Sequence, residues 1–128
     1  MTERRLAAIL VADAVGFSAR MAADETGAIR AATACLEALE LVVGLHGGRV
    51  VKTMGDGLLA EFGSALAAVS AAAAMQAKLA ERARDLPAAA SLSFRIGVHS
   101  GDVAVIGDDL LGDGVNVAAR LEGAAPGP

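Results

Sequence analysis

The chain has 128 residues, enough for one domain around a single core. It is 55% hydrophobic but only 2% aromatic, so Leu, Ile, Val and Ala must fill that core, with Phe17, Phe62 and Phe94 as its rings. A net charge of −4 excludes the clustered basic surface of a nucleic-acid binder, and a single cysteine, Cys35, excludes an intrachain disulfide or a multi-cysteine metal site.

In chain order, Met-Thr-Glu-Arg-Arg at the N-terminus lacks the long apolar region of a signal peptide. The unbroken apolar run Leu6 to Ala12 reads as a strand buried on both faces, ending on Asp13. Thr26 to Leu45 has a helical period, with Ile29, Leu36, Leu39 and Val43 on one side, and Cys35 reads as a small buried hydrophobe within it. Gly47-Gly48 should end that helix. Arg49 to Thr53 and Leu58 to Phe62 read as two strands joined by Met-Gly-Asp-Gly, a hairpin signal because Asp-Gly suits positive φ.

Ala65 to Arg84 predicts an Ala-rich helix closed by Asp85-Leu86-Pro87, whose alanines hide which face is buried. Ser70, Gln76 and Lys78 interrupt its apolar run, so it falls short of the roughly 18 uncharged residues of a membrane span, and a cytoplasmic location is expected. Ser91 to Val98 alternates, with Leu92, Phe94, Ile96 and Val98 facing one way and Ser93, Arg95 and Gly97 the other. A further strand from Asp102 to Ile106 leads into a loop, and a last helix is expected from Val115 to Leu121. The order suits an α+β sandwich of the ferredoxin-like kind, a βαββαβ core with helices on one face of a mainly antiparallel sheet. The sequence has no internal domain boundary, so residues 1–128 form one domain.

In such a sheet the first strand lies beside the hairpin, so Asp13 and Asp56 converge at one edge. Two carboxylates that close repel unless cations lie between them, and Mg²⁺ or Mn²⁺ prefers such ligands together with substrate phosphates. Backbone N–H groups of the turn Ala14-Val-Gly-Phe-Ser18 suit a phosphate cradle, with Gly16 permitting close approach. Asn116 and Arg120 are four apart on the expected last helix and share a face. His46 and His99 have no ligand spacing to another His or Cys and read as structural.

Three blocks carry a family resemblance: Ile9-Leu-Val-Ala-Asp-Ala-Val-Gly-Phe-Ser18, Val50-Val-Lys-Thr-Met-Gly-Asp-Gly57, and Gly107-Asp-Asp-Leu-Leu-Gly-Asp-Gly-Val-Asn-Val-Ala-Ala-Arg-Leu-Glu122. In that order they resemble the signature blocks of class III nucleotidyl cyclases. The resemblance implies an adenylate cyclase in which Asp13, Asp56 and the Ala14 carbonyl bind two divalent cations, Mg²⁺ or Mn²⁺. Gly16, Phe17, Ser18 and Arg95 would meet phosphate, and Asn116 and Arg120 would orient the ribose and stabilise charge on the α-phosphate. Lys52 and Asp109 match the purine-selecting positions. Adenine offers an acceptor at N1 and a donor at N6, which suit a lysine and an aspartate, whereas guanine reverses both.

The implied reaction is attack of the ATP 3′-hydroxyl on its own α-phosphorus, assisted by two metals, at sites shared across a symmetric homodimer. The family pattern continues past Gly123-Ala-Ala-Pro-Gly-Pro128 into further strands and a triphosphate-contacting lysine. The resemblance therefore implies a chain without its C-terminal strands, a fragment of a longer parent with room for regulatory domains. Three rival readings differ from it. A diguanylate cyclase needs a Gly-Gly-Asp-Glu-Phe turn, but Gly47-Gly48 precedes Arg49-Val50. A guanylate cyclase typically carries an acid in place of Lys52. Against a silent nucleotide-binding or dimerisation domain stand Asp13, Asp56, Asn116 and Arg120, all intact.

Overall fold

A computed structural model describes residues 3–107, 109–111 and 119. The first strand, β1 (Glu3–Ala14), is followed by a short helix, α1 (Phe17–Ala23), and a long one, α2 (Glu25–Leu45). The hairpin β2 (Arg49–Met54) and β3 (Gly57–Phe62) leads to α3 (Ala65–Asp85), a 3₁₀ turn (Ala88–Ala90), β4 (Phe94–Ile106) and β5 (Asp109–Leu111). Every described pairing is antiparallel and the strand order is β2-β3-β1-β4-β5, with the first four strands in the ferredoxin-like arrangement. The chain is thus the expected α+β sandwich. The apolar run of β1 is central because it is paired on both sides, by β3 and by β4.

Helix ends follow local chemistry. The Asp24 carboxylate accepts a hydrogen bond from the Gly27 N–H at 3.1 Å and starts α2, and the Ser64 hydroxyl does the same for α3 with the Ala67 N–H at 3.1 Å. At the far end of α2, the Gly48 N–H donates to the Val43 carbonyl at 2.9 Å and closes the last turn. Both long helices contribute to the larger core on one face of the sheet. There Leu36, Leu39 and Val43 of α2 and Ala68, Ala71, Met75 and Leu79 of α3 share a cluster with Leu10, Leu58, Phe62 and Phe94. Cys35 is fully buried among them, as expected, while Ile29 is 47% exposed and not on the buried side. Alanine supplies two of the four buried residues of α3, Ala68 and Ala71, and also much of its exposed side, so hydropathy alone could not separate its faces.

A smaller cluster occupies the helix-free face: Ala7, Ile9, Leu59, Val103 and Leu110. β2 and β5 lie at opposite edges of the sheet and nevertheless touch. The β4–β5 arm therefore curls over this face, and Leu110 of β5 is completely buried in the cluster.

The structure corrects four further expectations. Two separate strands over Ser91–Val98 and Asp102–Ile106 are one strand, β4, running through His99-Ser100-Gly101, because its ladder with β1 continues unbroken from Phe94 to Val105. Asp109 is not in a loop but opens β5, opposite Ile106. In the hairpin, positive φ belongs to Gly55 (52°) rather than to the Asp56-Gly57 pair, and Gly57 already pairs as the first residue of β3. The turn after β1 leads into a separate seven-residue helix, α1, before the long one. The helix expected from Val115 to Leu121, and with it Asn116 and Arg120, lies outside the described residues apart from Ala119.

Candidate active site

Alternation along β1 turns Leu10, Ala12 and Ala14 toward the helices and Ile9, Val11 and Asp13 to the other face. Asp13 sits beside Gly57 of β3 on one side and Arg95 of β4 on the other. Directly opposed residues project to the same face with Cβ atoms about 4.5–5.5 Å apart, so Asp13 and Arg95 are side-chain neighbours. Arg95 is half-buried, and its Nε is buried with no hydrogen-bond partner among the described residues.

Asp56 is brought to the same place by the backbone. The Ala14 N–H donates to the Asp56 carbonyl at 3.0 Å, tying the end of β1 to the hairpin loop. The next residue is fixed too, since the Val15 N–H donates to the Ser93 carbonyl at 2.8 Å. Asp13, Asp56, Met54 and Gly57 border a cavity of about 280 Å³. Gly57 is the residue whose importance sequence reasoning missed. A Cβ there would lie 2.7 Å from the Ala12 carbonyl oxygen and 3.2 Å from Asp13 Oδ1, so the carboxylate occupies space that any other residue would fill. The Asp-Gly dipeptide is the available signal, although by itself it indicates only turn geometry.

The turn 14–18 is partly engaged. The N–H groups of Ala14 and Val15 are used within the fold, so a phosphate cradle can draw only on those from Gly16 onward. Gly16 is left-handed (φ 69°) and has open space where a Cβ would stand. Phe17 is half-buried against the larger core and anchors α1, while Ser18 is exposed. Arg20, a second residue not anticipated, holds α1 in place: its Nη2 donates to the carbonyls of Ser91 at 2.7 Å and Ala88 at 3.1 Å.

Lys52 and Asp109 meet. Lys52 Nζ lies 3.0 Å from Asp109 Oδ1 and 3.1 Å from Oδ2, with the side chains 40% and 42% exposed. Two departures from regularity bring this about. The ladder shifts between Val50, paired with Ala60, and Lys52, paired with Leu59. This bulge makes Val51 the extra residue and moves Lys52 from Val50's helix-facing side to the helix-free one. The curl of β5 then brings Asp109 across from the opposite edge. The Lys52 hydrogen bond, then the Leu110 N–H at 2.8 Å, hold the Asp109 carboxyl below the ordinary carboxylate range.

Among the described residues no group of three or more His, Cys, Asp or Glu side chains converges. Two carboxylates beside an open cavity suit a hard cation that takes its remaining oxygens from substrate phosphates and water, and the cradle over Gly57 keeps Asp13 in position for it. The residues present fit Mg²⁺ or Mn²⁺.

A family described as the adenylate and guanylate cyclase catalytic domain matches residues 2–127. The chain is 54% identical over 123 residues to putative adenylate cyclase 3 of Rhizobium meliloti (strain 1021), covering 95% of this chain and 21% of that protein. With an adenylate cyclase of Streptomyces coelicolor it shares 34% identity over 133 residues, 98% of this chain and 32% of the relative. The chain thus spans between about a fifth and a third of those two proteins. Among solved structures, an adenylate/guanylate cyclase/hydrolase from Silicibacter pomeroyi aligns with a TM-score of 0.86 at 40% identity, over 99% of this chain and 74% of that one. The guanylyl cyclase Cya2 aligns with a TM-score of 0.85 at 28% identity, over 98% and 73%.

Proposed function

We propose, since the chain belongs to the family of adenylate and guanylate cyclase catalytic domains, that it converts ATP to 3′,5′-cyclic AMP and pyrophosphate. The observation that carries the choice of ATP is the Lys52–Asp109 pair, a donor and an acceptor side by side at 3.0 Å. Adenine takes that polarity through N1 and N6, whereas guanine leaves both side chains facing groups of the wrong sign. An unpaired group of this kind costs about 1–3 kcal/mol. The adenylate cyclases of Rhizobium and Streptomyces are consistent with this assignment; the guanylyl cyclase among the structural neighbours is the reason to test it.

In the reaction the ribose 3′-oxygen bonds to the α-phosphorus as the bond to the bridging oxygen of pyrophosphate breaks. Positioning and electrostatics suffice, with no covalent intermediate on the protein. Asp13 and Asp56, with the Ala14 carbonyl, would hold two divalent cations, which would supply acidification of the 3′-hydroxyl and offset the triphosphate charge. Arg95, beside Asp13 with an unmatched Nε, supplies a fixed positive charge to phosphate, and Gly16, Phe17 and Ser18 supply backbone donors. Asn116 and Arg120 are assigned the ribose and the α-phosphate by resemblance to the family. In a symmetric homodimer the carboxylates of one copy work with Lys52, Asp109, Asn116 and Arg120 of the other, giving two equivalent sites.

The test is cyclic nucleotide formation from ATP and from GTP in Mn²⁺, with an Asp13→Ala control. Cyclic AMP from ATP alone, lost in the control, supports the assignment. Cyclic GMP as the main product overturns the purine reading. Mn²⁺-dependent ATP binding without product from either nucleotide replaces the enzyme with a silent nucleotide-binding domain.

A further inference from the structure

Away from the carboxylates, α2, α3 and the connection from α3 to β4 enclose a cleft of about 490 Å³. Its lining is mostly small and apolar, with Ala31, Ala34 and Pro87 among the residues, but two arginines, Arg30 and Arg82, also border it. The chain's other described basic residues are largely engaged. Arg4 pairs with Asp102, Arg5 and Arg49 with Glu61, Lys52 with Asp109, Lys78 with Glu81, and Arg20 is held by carbonyls. The Arg30 and Arg82 side chains have no hydrogen bond or ion pair among the described residues, and Arg82 Nε is buried without a partner among them. Two guanidiniums that meet no carboxylate within the fold can receive one from outside through their terminal nitrogens.

We infer that this cleft binds a small organic anion, a carboxylate on a short hydrocarbon body. Two guanidiniums match a carboxylate, since each presents a planar fork of donors to paired oxygens. The alanine and proline surface matches the hydrocarbon, in the usual division of a ligand site between apolar walls and a few polar anchors. Asp24, the acid on the lining, accepts the Gly27 N–H at 3.1 Å as the cap of α2 and keeps its charge, so one acid faces two arginines and the lining stays net positive. The cleft also lies along the first turns of the 21-residue α2, where the helix dipole favours negative charge.

The location gives binding a consequence. Pro87, Ala89 and Ala90 on the lining belong to the connection whose Ala88 and Ser91 carbonyls are held by Arg20 of α1. Two residues on, the Ser93 carbonyl holds the Val15 N–H. An anion in the cleft therefore braces the segment that fixes the turn after Asp13.

The inference does not depend on the cyclase reading and is tested by binding alone. The ¹⁵N-labelled chain is titrated with hexanoate, with hexan-1-ol as the uncharged analogue and with inorganic phosphate as the anion without a body. Saturable amide shifts for residues 24–34 and 82–90 are expected with hexanoate, with at least about tenfold weaker response to either comparator. Arg30→Gln and Arg82→Gln should each weaken hexanoate severalfold, and Arg82→Lys should recover part of the loss. Equal binding of hexan-1-ol, shifts centred elsewhere, or indifference to both substitutions would overturn the proposal. Phosphate binding as tightly as hexanoate would overturn the organic part of it.

Discussion

Two regions of the helix-free face reach their geometry by different means. The carboxylate end, around Asp13 and Asp56, lies where the central strand meets a tight hairpin, and backbone hydrogen bonds at 2.8 and 3.0 Å lock it from both sides. The Lys52–Asp109 pair, proposed to read the purine, joins two opposite edges of the sheet through exposed side chains, and depends on a bulge and a curled arm. The first region is rigid by construction and the second is held by contacts that water and salt weaken. The proposed chemistry divides along the same line: reaction would use fixed charge, and base selection a pair able to part and receive a ring.

The largest effects should therefore come from the carboxylate end. Asp13→Ala is expected to lower cyclic nucleotide formation by about a hundredfold to a thousandfold, the scale of removing one preorganised electrostatic group, while far-ultraviolet circular dichroism stays unchanged. Activity within tenfold of the parent would break the comparison. Gly57→Ala comes next and strikes structure and site together. Its methyl group meets the Ala12 carbonyl at 2.7 Å and crowds Asp13 Oδ1 at 3.2 Å, so chemical denaturation should report a loss of about 1–3 kcal/mol alongside lost turnover. If the variant kept full stability, the hairpin would be softer than its ladder implies.

At the other region, Lys52→Ala should act on selection more than on rate. The ratio of kcat/KM for ATP to that for GTP is expected to fall by roughly 5- to 150-fold, corresponding to about 1–3 kcal/mol for one mismatched group. The thermal midpoint should hardly move, because the pair is exposed. A fall in both nucleotides alike would assign Lys52 to binding in general and not to reading the base.

The same contrast decides how much could be read from residues alone. β1 was legible because an uninterrupted apolar run has few uses other than a central strand, and Asp13 at its end followed from that. Asp56 was legible because the hairpin must lie beside β1 in a ferredoxin-like order. The position of Lys52 was not: regular alternation puts it on the side of Val50, facing the helices, and only the shift at Val51 moves it. Nor was the strand at Asp109, because a three-residue element depends on partners supplied by the long arm of β4. Continuous β4 was missed for a related reason, as His99-Ser100-Gly101 looks like a break until pairing with β1 on one side holds it extended. The Arg20 clamp joins residues about seventy apart, a distance over which local pattern carries no information.

The smallest effect concerns acid, and Glu61 provides the internal standard for it. Burial raises the Glu61 carboxyl, but hydrogen bonds and charge from Arg5 and Arg49 outweigh it, leaving a net shift below the ordinary value. Asp109 is shifted the same way, chiefly by Lys52. For both acids the unfolded chain binds the proton more tightly, so stability is complete above the unfolded carboxylate value of about 4 and declines as pH falls through the folded value. Glu61→Gln and Asp109→Asn should therefore each flatten the loss of stability below about pH 4.5. The side chain of Glu61 is 12% exposed and that of Asp109 is 42% exposed, so added salt should erase the Asp109 contribution first. Denaturation midpoints measured across that range at low and high salt test the order. If the Asp109 contribution survived salt as well as that of Glu61, the Lys52–Asp109 pair would be a rigid part of the fold and the distinction between the two regions would be lost.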